Sequence, residues 1–386
     1  MSVIKHITIV FAGLEKVHFF KDVGMVPYHL ARCLGAELTY VHQGSADIKN
    51  PFADLHAAVV NVPDIPSYVR RHAKQIDLLM LFHITTRTIT YGTIYKKQNP
   101  TGCLYIKYDS EETCIPYLHE KSWYALSRYK RRFLFRRFEP LVDLLSVECQ
   151  QVYERMDEFN RAKLHYLPNG IFFGVVDEVA SPLSDIDKEN IILLVGRHGS
   201  HQKNSEMIFD LIPRLSCLAG WKFVLLGPVT DAFQKKYQDF INARPDYAGI
   251  IEIIGNLADR TKVADFYKKA KILLLPSRSE GFPIVCSEAL SQGVVVCMAH
   301  ELTSSIDITK DGQIGFRIPR ENLDAWRAVL SSVMSDEKRR LSLALASREH
   351  FRNALAWEVT IPLLAKRMLS GCSQEHELTS TEVVPP

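Results

Sequence analysis

Two carboxylates lie eight positions apart in residues 279–290, which read SEGFPIVCSEAL. Glu280 falls in a loop, and Glu288 falls inside the helix predicted to begin at Pro283. The first N–H groups of a helix favour an anion, typically a phosphate. A carboxylate beside a phosphate would be repelled, so we expect both acids to accept hydrogen bonds from paired sugar hydroxyls. The stretch is typical of a site for a sugar joined to a phosphate, and equally of an exposed loop acid followed by a solvated helix acid.

A second loop supplies positive charge. It reads GRHGSHQKN and follows an apolar run, Ile191 to Val195, that predicts a buried strand. Arg197 offers a planar fork and Lys203 a mobile point charge, and both suit phosphate oxygens. The alternative is two surface cations on a loop, while His198 and His201 would contact phosphate or nothing.

The elements that must position these residues alternate between strands and helices. Residues 271–298 alone predict a strand, a loop, a helix and a second strand, which is the parallel crossover of α/β proteins. The chain has 386 residues, of which 47% are hydrophobic. This length favours two domains over one.

With these elements in place, residues 279–290 resemble the Glu-x7-Glu motif of the retaining GT-B glycosyltransferases of family 4, the glycosyl transferases group 1. Gly281, Phe282 and Pro283 match the usual linker of that motif, and the run at 168–171, Pro-Asn-Gly-Ile, resembles the turn that closes the first domain. The resemblance implies an α/β protein of GT-B fold, with two Rossmann-like domains facing across a cleft. The expected segments are an acceptor-side domain at 1–172, a linker at 173–189, a nucleotide-sugar-binding domain at 190–356, a helix crossing back to the first domain at 357–370, and a flexible tail at 371–386.

The resemblance also implies roles for individual residues. Arg197 and Lys203 would clamp the diphosphate and stabilise the charge that grows on it as the glycosidic bond breaks. Glu288 would hold the ribose hydroxyls, and Glu280 would hold the donor sugar. The expected donor-binding residues are Gly24, Arg197, Lys203, Gly255, Leu257, Glu280, Gly281, Phe282, Pro283, Ile284 and Glu288. Because the region of Gly255 and Leu257 meets the base mostly through its backbone, uracil and guanine both remain open.

The first half of the chain offers candidates at the carboxyl ends of predicted strands, where ligands gather in open α/β sheets. His83 follows one strand, and Asp109 follows the next. Many family members place a His-Asp pair where this chain has Tyr108 and Asp109. Either Asp109 alone contacts substrate, or His83 contributes from the neighbouring strand. Asp22, beside Gly24, is the acceptor-side candidate or a simple helix cap.

The expected reaction moves a sugar from a UDP- or GDP-linked donor to a hydroxyl of a glycan or lipid-linked acceptor, with retention at the anomeric carbon. Surface polysaccharide or lipopolysaccharide synthesis is the expected setting. A sugar-nucleotide epimerase on the same fold and a non-catalytic nucleotide-sugar or membrane-binding protein are the alternatives. No cofactor or metal is expected, since Arg197 and Lys203 would neutralise the diphosphate and no convincing Asp-x-Asp site is present.

Basic and aromatic residues alternate along residues 121–138, KSWYALSRYKRRFLFRRF. This composition suits an anionic membrane surface, where cations meet headgroups and rings enter the interface. Nucleic acid would attract the same composition, but the net charge of +3 is too small to imply it. A solvated basic face with inward aromatics is the remaining interpretation.

Two further features bear on the compartment. Eight cysteines are scattered without metal spacing, and no apolar run approaches the ~20 residues that span a bilayer. Both features predict a cytoplasmic protein with reduced thiols, free in solution or peripheral at the inner membrane face.

Overall fold

The computed structural model describes residues 4–44, 48–52, 55–108, 133–156, 161–171, 188–216 and 218–377, with side chains to residue 370. The chain divides into two compact units. One comprises Met1–Gly170 with Ala356–Pro386, and the other comprises Ile171–Leu355.

The described residues of the first unit form a parallel sheet. Its strands are β1 (His6–Val10), β2 (Glu37–His42), β3 (Ala57–Asn61), β4 (Leu78–Phe82), β5 (Cys103–Tyr108), β6 (Leu144–Val147) and β7 (Leu164–Tyr166). Their order across the sheet is β3-β2-β1-β4-β5-β6-β7. Every residue of β4 and β5 is buried, as expected for strands covered on both faces.

The strand order reverses at β1, which pairs with β2 on one side and β4 on the other. Such a switch point opens a crevice outside the carboxyl ends of the strands. The segments that leave this edge of the sheet carry Asp22 and Gly24 after β1, and His83 after β4. The fold therefore places the first-half candidates at the edge where an open sheet of this kind binds ligands.

Helices follow several of these strands. They are α1 (Asp22–Leu34), α2 (Ile65–His72), α3 (Thr86–Gln98) and α4 (Gln150–Arg155), and residues 133–138 are also helical. Gly24 lies within α1, whose first turn packs on the backbone of Phe19. A Cβ at Gly24 would lie 2.2 Å from the Phe19 carbonyl oxygen, so a larger residue would push the helix away.

The described residues of the second unit form another parallel sheet. Its strands are β8 (Ile191–Val195), β9 (Lys222–Leu226), β10 (Ile251–Gly255), β11 (Ile272–Leu275), β12 (Val295–Ala299) and β13 (Phe316–Ile318). The order is β10-β9-β8-β11-β12-β13. The switch point lies between β8 and β11. The positively charged loop of residues 196–204 follows β8, and the loop that carries Glu280 follows β11, so both loops leave neighbouring strands at one edge of the sheet.

The helices of this unit follow its strands in turn. They are α5 (Ile208–Leu211), α6 (Asp231–Ala243), α7 (Arg260–Lys269), α8 (Ile284–Ser291), α9 (Ser305–Thr309), α10 (Leu323–Ser335) and α11 (Glu337–His350). The side chain of Asp259 caps α7 by accepting a hydrogen bond from the Thr261 N–H at 2.9 Å. This cap fixes where α7 begins, five residues after the last residue of β10.

The last helix, α12 (Trp357–Glu377), belongs to the first unit and packs on α1. The rings of Trp357 and His29 lie 6.3 Å apart, and the Arg367 guanidinium donates to the Ala162 carbonyl at 2.7 Å. The helix continues to Glu377, seven residues past the predicted end of the crossing helix at residue 370. Glutamine and glutamate are good helix formers, and one glycine weakens a helix by only about 1 kcal/mol. The helix therefore extends beyond the residues whose apolar spacing indicated it.

No helix in the described ranges is both long enough and apolar enough to cross a bilayer.

Candidate active site

The cationic loop, residues 196–204, leaves β8 beside the end of β9. A Cβ at Gly227 would lie 2.1 Å from the Gly196 carbonyl oxygen, and Gly227 has a φ of +129°. Only glycine allows this conformation and this approach together. The far end of the loop reaches β11, where the Asn204 side-chain amide donates to the Pro276 carbonyl at 3.2 Å. The loop therefore spans the switch point of the second sheet.

Lys203 and Glu280, both predicted to contact the donor, form an ion pair with each other. The Lys203 Nζ lies 2.5 Å from the Glu280 Oε1, and the two side chains are 16% and 9% exposed. Removal of either partner would leave the other charge buried and poorly solvated, so each residue depends on the other to remain in this position. The structure thus brings a predicted phosphate ligand and a predicted sugar ligand to one point.

Gln202, which was not among the predicted site residues, links the cationic loop to the loop that carries Glu280. Its Oε1 accepts a hydrogen bond from Arg197 at 2.9 Å, and its Nε2 donates to the Ser279 carbonyl at 2.9 Å. Its backbone carbonyl accepts from the Arg278 N–H at 2.7 Å. Arg197 is otherwise exposed. Gln202 therefore ties the predicted diphosphate cation to the residue that precedes Glu280.

Glu288 is buried in α8 and is paired with Arg260, the first residue of α7. This arginine was not among the site residues predicted from the sequence. Its only sequence signal was its place directly after the Asp259 cap, near Gly255 and Leu257. Tyr267, two turns along α7, is fully buried, and burial together with the neighbouring Glu288 carboxylate raises its pKa well above the usual range. A cation and a neutral phenol thus border the second carboxylate.

The start of α8 lies between the two carboxylates in sequence. Pro283 is the N-cap residue and Ile284 is the first helical residue, so the predicted helix begins one position later than expected. Phe282 is buried and anchors the turn, while Gly281 is half-buried. The first N–H groups of the helix have no partner inside it and form its positive end. That end lies three residues after Glu280 along the chain.

Gly255 and Leu257 lie at the carboxyl end of β10, on the same edge of the sheet. Gly255 has a φ of +79°, and its carbonyl accepts from the Gly227 N–H at 2.8 Å. Leu257 is half-buried. Their place after β10 fits the predicted position beside a base, with backbone groups rather than long side chains at the edge.

The two histidines of the cationic loop differ. His198 is buried, its backbone N–H donates to the Pro228 carbonyl at 2.8 Å, and its ring packs 5.9 Å from that of Phe233. Burial, reinforced by the Lys203 charge, lowers the pKa of His198 to about 4. His198 is therefore neutral at physiological pH and supports the loop, whereas His201 is exposed.

In the first unit, His83 and Asp22 lie at the carboxyl edge of the sheet. His83 is half-buried with a φ of +58°, an uncommon conformation for a side chain of this kind, and its N–H donates to the Lys107 carbonyl at 2.9 Å. Asp22 is 4% exposed and heads α1 without capping it. Asp109 lies outside the described residues, as do residues 121–132 of the basic segment.

Asp22 belongs to a buried ion cluster that the sequence did not indicate. The ammonium group of Lys107 is 3.2 Å from the Asp22 Oδ2 and also contacts Glu148. Lys107 is fully buried, and Glu148 is 5% exposed. One buried cation therefore joins the start of α1 to β5 and to the end of β6.

No cluster of three or more histidine, cysteine, aspartate or glutamate side chains suited to a metal ion occurs in the described part of the chain. The predicted donor-binding residues Lys203, Glu280 and Glu288 take part in cation–carboxylate pairs.

Comparisons with solved structures define the fold. The lipopolysaccharide outer core galactosyltransferase WaaB superposes with a TM-score of 0.67 at 16% identity, covering 95% of this chain and 99% of that one. Anabaena HepE in complex with UDP-glucose gives 0.66 at 14% identity, covering 95% and 99%. The chain has the GT-B fold of these proteins, as the sequence predicts.

Comparison with sequence families is more specific. The family model of the glycosyl transferases group 1 matches residues 177–350. The family matched over these residues is the one that the Glu-x7-Glu motif resembles.

One relative adds a named activity. It is the GalNAc-alpha-(1->4)-GalNAc-alpha-(1->3)-diNAcBac-PP-undecaprenol alpha-1,4-N-acetyl-D-galactosaminyltransferase of Campylobacter jejuni, 29% identical over 250 residues. The match covers 63% of this chain and 63% of the relative. The chain therefore spans less than two thirds of the length of the curated relatives that it matches. The relative is a glycosyltransferase, the enzyme class that the sequence predicts.

Proposed function

We propose that the protein is a glycosyltransferase that moves a sugar from a nucleoside diphosphate to a hydroxyl of a lipid-linked glycan, with retention at the anomeric carbon. One observation carries the proposal. At the switch point of the second sheet, two cation–carboxylate pairs flank the start of α8, so that positive charge and hydroxyl acceptors alternate along one edge. A sugar nucleotide presents the complementary series of a sugar, two phosphates and a ribose.

The roles follow from this order. Lys203, Arg197 and the positive end of α8 would hold the diphosphate and stabilise it as a leaving group. Glu280 would accept hydrogen bonds from the donor sugar, and Glu288 from the ribose. The base would lie against the backbone of Gly255 and Leu257. HepE, which shares the fold, was solved with UDP-glucose, so UDP-sugars are the first donors to test, followed by GDP-sugars.

The proposal for the acceptor rests on residues of the first unit and on the activity named for the Campylobacter relative. His83 follows β4 at the carboxyl edge of the first sheet, where the reacting hydroxyl would approach, and Asp109 comes directly after β5 in the sequence. Because the Campylobacter relative is named for an undecaprenol-linked glycan, we propose a lipid-linked acceptor of the kind used in surface polysaccharide or lipopolysaccharide synthesis. Asp22, already paired with Lys107, would support that edge rather than contact the acceptor.

A lipid-linked acceptor implies that the enzyme acts at the inner face of the cytoplasmic membrane. Within the helical residues 133–138, Phe133 is 59% exposed, and Arg136 and Arg137 are exposed on the same face. Phe135 and Phe138 are buried on the other face. One face of this segment therefore combines a ring with cations, as an interfacial helix does.

The donor assignment is tested first by thermal shift with a panel of UDP- and GDP-sugars, because a ligand that binds only the native state raises its melting temperature. The stabilising donor is then supplied with a lipid-linked glycan. We expect Lys203→Ala and Glu280→Ala each to lose about 100-fold or more in turnover, whereas the exposed Lys235→Ala keeps its rate. Near-normal turnover in both site variants would contradict the assignment.

Two further measurements separate the alternatives. Incubation of the donor alone would reveal an isomerised sugar if the protein were an epimerase, and NMR of the product gives the anomeric configuration. Liposome flotation tests the membrane face: we expect anionic vesicles to recover the protein, and Phe133→Ser to reduce recovery. Leu345→Ser, a change at an exposed leucine of the second unit, is the matched control. Equal recovery with neutral vesicles would refute the electrostatic contact.

A further inference from the structure

The helix α7 turns one face toward Glu288. Arg260, Val263, Ala264 and Tyr267 recur at helical spacing, and the last three are buried. Two members of this face, Arg260 and Tyr267, border the Glu288 carboxylate. Since α7 begins five residues after the last residue of β10, its first residue lies near the carboxyl edge of the sheet. The Arg260 pair therefore directs a buried carboxylate toward the edge where the nucleoside would bind.

Such a carboxylate needs a partner. The Glu288 side chain is 5% exposed, and a carboxylate at that depth is poorly solvated unless a cation lies beside it. The Arg260 guanidinium supplies that cation, and its contact with Oε1 holds one oxygen of the carboxylate and so fixes the rotation of the group.

We propose that Arg260 is a positioning residue that holds the Glu288 carboxylate oriented to accept hydrogen bonds from the ribose 2′ and 3′ hydroxyls of the donor. The inference rests on the proposed function and extends it to a residue outside the motif. Arg260 acts through Glu288, so its removal weakens recognition of the ribose diol more than it affects the chemical step.

The test compares ribose with deoxyribose. Calorimetric titration with UDP and dUDP, or GDP and dGDP if guanine is the base, gives a preference ratio for each variant. Hydrogen bonds to a charged group predict that the wild type prefers the ribonucleotide by about 10- to 100-fold. In Arg260→Gln we expect the ratio to fall below about 3-fold. In Arg260→Lys, which keeps the charge without the fork, we expect an intermediate ratio.

Turnover provides a second readout. Loss of ground-state ribose recognition should raise the donor KM of Arg260→Gln about 10-fold while kcat changes less than about 3-fold. Lys262→Gln removes a positive charge from an exposed position of the same helix, and it should leave both the ratio and the KM unchanged. A change in the Lys262 variant equal to that in Arg260→Gln would contradict a specific role.

Glu288→Gln is the control for a folding defect. In Arg260→Gln the buried Glu288 carboxylate loses its cation, whereas Glu288→Gln removes that buried charge. It should abolish the ribose preference by itself, and adding Arg260→Gln should change the ratio no further. A ribose preference that survives Arg260→Gln would overturn the inference alone, whereas one that survives Glu288→Gln would also overturn the ribose role proposed for Glu288. A wild type with neither nucleotide binding nor sugar transfer would overturn the proposed function, and the inference with it.

Discussion

The ion pair between Lys203 and Glu280 leads to a counterintuitive prediction for Glu280→Gln. If Lys203 holds the donor diphosphate, its ammonium group must leave the Glu280 carboxylate or be shared with it. The carboxylate therefore competes with the phosphates for one cation and also repels them. Glutamine keeps the size of the side chain and removes the charge, so we expect a nucleoside diphosphate without its sugar to bind the variant more tightly than the wild type.

The magnitude follows from the geometry of the pair. The Glu280 Oε1 is 2.5 Å from the Lys203 Nζ, and a phosphate oxygen bound to the same ammonium would lie about 5 Å from that carboxylate oxygen. Two unit charges at this separation repel by roughly 3 kcal/mol at an effective dielectric constant of about 20. The diphosphate spreads its charge over several oxygens and water screens part of it. We therefore expect a gain of about 1–2 kcal/mol, or roughly 5- to 30-fold in Kd.

The assay pairs calorimetric titration of UDP and GDP with a turnover measurement. We expect tighter nucleotide binding together with a loss of about 100-fold or more in transfer, since the neutral amide no longer accepts strongly from the donor sugar. Glu206→Gln is the control, because Glu206 lies on the segment that follows Lys203 and outside its ion pair.

The Glu280 and Glu206 variants together test whether the Glu280 carboxylate competes with the diphosphate for Lys203. Unchanged or weaker nucleotide binding in Glu280→Gln would refute the competition for Lys203. Equal tightening in Glu206→Gln would instead assign the effect to the net charge of the region.

Two further predictions concern stability. Lys107→Met should lower the free energy of unfolding by about 3–5 kcal/mol, because it strands the carboxylates of Asp22 and Glu148 in a buried site. Urea titration measures this loss, and adding Asp22→Asn and Glu148→Gln should restore most of it; a tolerated single substitution would contradict the ion-cluster interpretation. His198 should make stability depend on pH, since its folded pKa of about 4 lies below the unfolded value of 6.5. Its contribution is full above pH 6.5 and is lost as the pH falls toward 4, by up to about 3 kcal/mol. His198→Gln should flatten the pH dependence in urea titrations between pH 4 and 6.5, and the exposed His201→Gln should not; an unchanged slope in His198→Gln would refute the assignment.

The strands and the main loops of the second unit could be predicted from sequence, because buried parallel strands are short apolar runs that end in glycine or proline. The predicted strand at Ile191–Val195 matches the structure residue for residue, and residues 271–298 contain the predicted strand, loop, helix and second strand. Since neighbouring parallel strands end at one edge, the positions of Lys203 and Glu280 near each other also followed from the fold. The ion pair between these two residues could not be predicted, because Lys203 was expected to contact the diphosphate and Glu280 the donor sugar.

The missed residues share a physical reason. Arg260 pairs with Glu288 across 28 positions and Gln202 bonds Ser279 across 77, and no local pattern encodes such a partner. Lys107 lies in a strand that reads as a buried apolar run, where a cation is unexpected until Asp22 and Glu148 are found beside it. Pairing across the fold, rather than propensity, decides where these charges lie.

The placement of α12 has a consequence for biosynthesis. This helix completes the first unit, yet its residues follow the whole of Ile171–Leu355 in the chain. A ribosome releases the polypeptide from its amino end, and domains commonly fold as they emerge. The face of α1 that Trp357 covers thus stays open until the second unit has been made in full, so the half that is translated first finishes folding last.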